Sequence, residues 1–135
     1  MTNEAVRAVA DLPVEHELLL NALPHPVVVV GQANRIVYVN AAAEAFFSMS
    51  TALLLRHTLD DVVAFGCPLL ALVDQVRENG STLNEYGMDM ASPKFTAPKL
   101  VDVYAGAVAE GAELIVVMLQ QRTMAQMIER QLTHR

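Results

Sequence analysis

The chain has 135 residues, of which 53% are hydrophobic and 18% charged, so it is long enough for one domain and too apolar to be disordered over most of its length. A net charge of −6, with the nine Lys and Arg scattered rather than clustered, excludes a nucleic-acid surface. The apolar runs, Val27 to Val30 and Leu114 to Leu119 among them, fall far short of the roughly 18 residues of a membrane span, and neither a signal peptide nor, with Cys67 alone, an internal disulfide framework fits, so the expectation is a cytoplasmic protein that engages no nucleic acid and no membrane.

Residues 1–12 show no period and are expected to form a loose tail. From Pro13, "PVEHELLLNAL" predicts a helix of about three turns, which Pro24 and Pro26 stop. Leu18, Leu19 and Leu20 are consecutive, and one face of a helix cannot hide all three; some of that surface must meet a second body, such as another copy of the chain. "PVVVVG" and "RIVYVN" read as a hairpin of two strands. Asn40 stands where strand gives way to the helical "AAAEAFFSMS", a position for a helix cap. Thr58 with Asp61 marks a further helix start. In "GCPLLALVDQVRENG", Leu69, Leu72, Val73 and Val76 share one helical face, with Pro68 opening and Gly80 closing the helix.

The period then changes to two. "STLNEYGMDM" predicts a strand with Tyr86, Met88 and Met90 on one side and Glu85, Gly87 and Asp89 on the other. After the loop "SPKFTAP", Val101, Val103, Ala105 and Ala107 alternate with Asp102 and Tyr104, and a turn at Glu110 and Gly111 leads into "ELIVVML", apolar on both faces and so expected at the centre of a sheet. Two hairpin-short links exclude a parallel βαβ arrangement. The fold class is therefore α+β: a five-stranded antiparallel sheet with helices on one face, flanked by an N-terminal and a C-terminal helix, with the domain spanning 13–121.

The end of the chain, "QQRTMAQMIERQLTHR", carries a capping box in Thr123 and Gln126, then Met124, Met127, Ile128 and Leu132 on one side of a helix. Residues 122–135 read as a linker helix leading to a further domain. Together with Leu18, Leu19 and Leu20, these four residues form the expected dimer interface and signal helix.

Candidate chemistry is sparse. His16, His25, His57 and His134 lie 9, 32 and 77 residues apart, without the short paired spacing of a metal site. The six glycines never cluster as a phosphate loop demands. Asp60 and Asp61 are adjacent, so on a helix they point about 100° apart and suit capping better than paired acid chemistry. No catalytic residue and no metal ligand is assigned. Tyr86, Met88, Met90 and Met118 are the side chains that would line a cavity for a small effector, although packing against the helical block is the preferred reading.

"RIVYVNAAAEAFF", a strand ending in Asn followed by small and aromatic helical positions, resembles the opening of PAS domains. The element order from about residue 18 to 121 is similar to theirs throughout. The combination of "LLLNALPHPVVVV", "LLLRHTLDDVVAFGCPLLALVDQVRENG", "NEYGMDM" and the terminal segment is similar to the sensory region of the bacterial nitrogen-regulation histidine kinases, the NtrB family. The resemblance implies a PAS fold feeding a dimeric helical bundle that carries a phosphoacceptor histidine, followed by an ATP-binding domain. It also implies a parent that autophosphorylates, passes phosphate to a response regulator, and acts as a phosphatase when the PII protein signals nitrogen sufficiency. The family's phosphoacceptor His is followed by Glu, a basic residue, Asn and Pro, whereas His134 is followed by Arg135, so His134 does not carry that role. Light-sensing PAS relatives hold a flavin-reactive thiol in an Asn-Cys-Arg-Phe-Leu-Gln run; Cys67 stands in "FGCPLLAL" instead. No cofactor is expected. The alternative is a PAS receptor holding haem, for which His57 is the best-placed ligand, or flavin or a metabolite.

Overall fold

The computed structural model describes residues 15–108 and 113–122. Helix α1 (His16–Ala22) leads to strand β1 (Val27–Val30), a 3-10 turn over Gln32–Asn34, and β2 (Ile36–Val39). Four helices follow, α2 (Ala41–Phe47), α3 (Thr51–Leu54), α4 (Leu59–Val62) and α5 (Pro68–Asn79), then β3 (Leu83–Met90), β4 (Lys99–Ala107) and β5 (Ile115–Gln121). The sheet runs β2-β1-β5-β4-β3 and every pairing is antiparallel. The apolar run at 115–119 thus takes the central place expected of it. The turn at Glu110 and Gly111 lies outside the described residues.

Alternation decides which side of the sheet forms the core. Val28, Val30, Ile36, Val39, Val101, Val103, Ala105, Ile115, Val117 and Leu119 face the helices and are buried with them. Helix α5 contributes Leu69, Leu72, Val73 and Val76, the face its 3.6-residue period predicts. Burial of each such side chain is worth about 1.5–3 kcal/mol relative to exposure. Pro68 occupies the first turn of α5, and Gly80 takes the left-handed conformation (φ 66°) that ends it. Phe46 and Phe47 of α2 meet edge-on at 5.0 Å, and Phe95 from the β3–β4 loop stacks on Phe47 at 6.1 Å.

Strand β3 departs from its predicted phase. Leu83 and Glu85 stand opposite Ala105 and Val103, but the next partner pair is Met88 with Val101, so an extra residue is inserted between them. This β-bulge contains Gly87 at φ 70°, a conformation that glycine adopts without a Cβ clash. The consequence is a correction: Tyr86 lies on the face opposite Met88 and is 74% exposed, while Met88 and Met90 are buried. Glu85, placed on the far side by simple alternation, shares the face of Met88.

Candidate functional site

The entry to the sheet and the exit from it lie side by side. Val27 at the start of β1 pairs with Met118 near the end of β5, and the Leu119 N–H donates to the Pro26 carbonyl at 3.0 Å.

At the entry, Asn40 is fully buried and uses its whole amide. Its Oδ1 accepts from Ala43 N–H (3.0 Å), the helix cap that its position predicts, and also from Val27 N–H (2.9 Å). Its Nδ2 donates to the carbonyls of Leu20 and His25, both at 3.0 Å. Asn21 Oδ1 accepts from Ala41 N–H at 2.8 Å. These bonds fasten the end of α1 to β1 and α2 while no residue of that helix is buried. Leu18 and Leu19 are 63% and 56% exposed, and Leu20 is half-buried. Burial and the nearby Glu17 carboxylate of α1 hold the Tyr38 phenol of β2 above its ordinary range.

At the exit, Asp102 Oδ1 accepts from Gly87 N–H at 2.8 Å and from Arg122 Nε at 3.1 Å, with Arg122 Nη2 at 2.9 Å completing an ion pair. Both side chains are half-buried, and Arg122 N–H also donates to the Leu100 carbonyl at 3.0 Å. One carboxylate oxygen thus joins the β3 bulge, strand β4 and the last described residue. The sequence reading missed both Asp102 and Arg122. The available signal was Gly87, since a glycine inside a strand pattern marks a bulge.

The four residues considered as a cavity lining divide between two faces. Met88 and Met90 belong to the core, whereas Tyr86 and Met118 meet in a shallow groove of about 170 Å³ on the outer face, beside Tyr104 and Asp102. Met124, Met127, Ile128, Leu132 and His134 lie outside the described residues, as do the Thr123–Gln126 capping box and the linker helix read over 122–135 beyond Arg122. Cys67 is buried, His16 is exposed on α1, and His25 is half-buried before β1. No group of three His, Cys, Asp or Glu among the described residues could hold a metal ion, and no described helix is long and apolar enough to cross a membrane.

His57 Nδ1 lies 3.4 Å from Asp61, whose carboxylate accepts from Thr58 N–H at 3.1 Å at the start of α4. That backbone bond foremost, and then the Thr58 hydroxyl and His57, hold the Asp61 carboxyl below 3.8. A depressed folded-state value means that the cap stabilises the fold above the unfolded carboxyl range and is lost as pH falls through the folded value. A carboxyl titration followed by NMR should therefore show Asp61 ionising below the ordinary aspartate range in the wild type and returning only part of the way towards it in Thr58→Gly/His57→Ala, which removes the hydroxyl and the imidazole but keeps the backbone N–H.

A PAS family model, described as "PAS domain", matches residues 15–79. The PAS domain of nitrogen regulation protein NR(II) from Vibrio parahaemolyticus superposes with a TM-score of 0.66 at 19% identity, covering 83% of this chain and 99% of that one. This chain is a PAS domain. In sequence it is 43% identical over 117 residues to the sensory histidine kinase/phosphatase NtrB of Rhizobium meliloti (strain 1021) and 47% identical over 117 residues to that of Rhizobium leguminosarum bv. phaseoli. Each alignment covers 87% of this chain, which spans 31% and 30% of those relatives. Within the PAS domain, the strand, Asn40 and the small-and-aromatic helix that suggested the family form the hub at the entry.

Proposed function

We propose that this PAS domain is the cytoplasmic signalling and dimerisation module of a nitrogen-regulation histidine kinase. In this reading the parent protein phosphorylates itself and a response regulator, and reverses that under PII control, through a kinase core separate from the PAS domain. The PAS domain itself carries out no catalysis; it holds two subunits in register and biases kinase against phosphatase output through the segment after Arg122. The observation that carries the proposal is the 43–47% identity to NtrB kinases across 117 residues, combined with an entry helix whose Leu18 and Leu19 stand in solvent. The reading includes no haem or flavin. Phe47, Leu54, Leu59, Leu69, Met90, Ile115 and Leu119 fill the space between sheet and helices, and the His57 imidazole is engaged with Asp61.

Light scattering tests the assembly. The wild type should be a dimer at micromolar concentration. Leu18→Glu/Leu19→Glu places four charges in a two-fold interface and should weaken association at least about a hundredfold, since each buried leucine is worth roughly 1.5–3 kcal/mol. Met127→Glu/Ile128→Glu should act in the same direction. A wild type that stays monomeric at high micromolar concentration removes the dimer. Stoichiometric haem or flavin absorbance in the purified protein would replace this reading with that of a cofactor receptor.

A further inference from the structure

Beside the entry and exit, a cleft of about 450 Å³ opens on the outside of α2, where β1 and β4 begin and β5 ends. Pro24, Pro26 and Phe46 give it apolar walls, His25, Lys99 and Gln121 supply its polar groups, and no carboxylate lines it. That volume falls within the range of about 300–1,000 Å³ typical of small-molecule sites, and a few convergent polar groups on apolar walls are their usual composition. The cleft shares His25 with the groove at Tyr86 and Phe46 with the packed interior, and is otherwise lined by its own residues.

Lys99 sets the chemistry. Its Nζ sits 4.6 Å from the Phe46 ring centroid and 4.3 Å from that of Phe95, so two aromatic faces fix the cation at the wall of the cleft. The Nζ donates to the Phe46 carbonyl at 3.1 Å, which uses one of three ammonium donors. Among the described residues no Asp or Glu forms an ion pair with it, although the chain as a whole carries a net charge of −6. The cleft therefore offers a positioned positive charge with donors to spare, a nearby primary amide in Gln121, and apolar surface. A single lysine without an arginine fork suits a singly charged carboxylate better than a phosphate.

We propose that this cleft binds a small amphiphilic carboxylate, its anionic end on Lys99 and Gln121 and its apolar body against Pro24, Pro26 and Phe46. Gln121 is the last residue of β5, so a bound ligand touches the strand from which the chain leaves the domain. That consequence rests on the sensory reading above, whereas the binding itself does not.

The test is an NMR titration of the 135-residue protein with benzoate and hexanoate as probes, and benzyl alcohol as the uncharged control. The carboxylates should give saturable shifts at the backbone amides of Phe46, Lys99 and Gln121, with a dissociation constant on the order of 1 mM for ligands of this size. Lys99→Met, which keeps the aliphatic stem, should weaken binding about tenfold or more, as expected for loss of a charge-assisted bond. Gln121→Ala, at an exposed position, should weaken it a few-fold and serves if Lys99→Met disturbs the fold. Linear shifts without saturation, an equal response to benzyl alcohol, or undiminished binding by both variants would each overturn the proposal. The readout is local to the cleft, so its failure leaves the dimer reading intact, and a monomeric protein leaves the cleft to be judged by the same titration.

Discussion

Replacing Asn40 with alanine should lower stability by about 3–5 kcal/mol, a fall in thermal midpoint of roughly 10–20 °C for a domain of this size, measured by urea denaturation and calorimetry. Loss of a helix cap alone costs about 1 kcal/mol. The larger figure arises because the Val27 and Ala43 N–H groups both lose their side-chain acceptor inside the protein, while the Leu20 and His25 carbonyls lose the donor that holds α1 in place. Asn40→Asp separates the two halves of the role. Its carboxylate can still accept from both N–H groups but turns an acceptor towards two carbonyls. Protonation would supply a donor there, which raises the folded-state pKa above the unfolded one; the deficit should therefore be smallest at acid pH and grow as pH rises through that value. A loss of under 1 kcal/mol for Asn40→Ala would mean that water replaces the amide and that the entry helix is not tied through this residue.

Phe47→Ala is the second large effect, about 3–5 kcal/mol by the same measurements. Phe47 is among the largest fully buried side chains, and its ring is held edge-on by Phe46 and stacked by Phe95. The void would lie beneath the two rings that flank Lys99, so the damage should spread to the cation: the Phe95 and Lys99 resonances should shift along with those of the core. Phe47→Leu fills most of the volume and should cost clearly less. Equal costs for the two variants would indicate that the ring geometry, rather than the volume, is what the site requires.

The features legible in the sequence were those set by local rules. Leu69, Leu72, Val73 and Val76 repeat with a helical period, Val101, Val103 and Ala105 with a period of two, and both patterns report which side meets the core. Asn40 was readable as a cap because capping is a matter of neighbouring N–H groups; its bonds to Leu20 and His25 depend on α1 folding back, which no local pattern encodes. The period-two reading failed at Tyr86 because a single inserted residue reverses every later assignment on a strand. Asp102 looked like an ordinary outward polar position on β4. Its importance comes from two partners, Gly87 and Arg122, that lie 15 and 20 residues away in sequence and meet only once the sheet is assembled. Lys99 was passed over for the same reason, since Phe46 is 53 residues from it.

The position of β5 constrains how any message can leave the domain. Hydrogen-bonded along both flanks, by β1 and by β4, it has no free edge from which to peel, and detaching it would rupture two ladders at once. What remains open to it is motion shared with its neighbours, a change in the torsion of the whole ribbon.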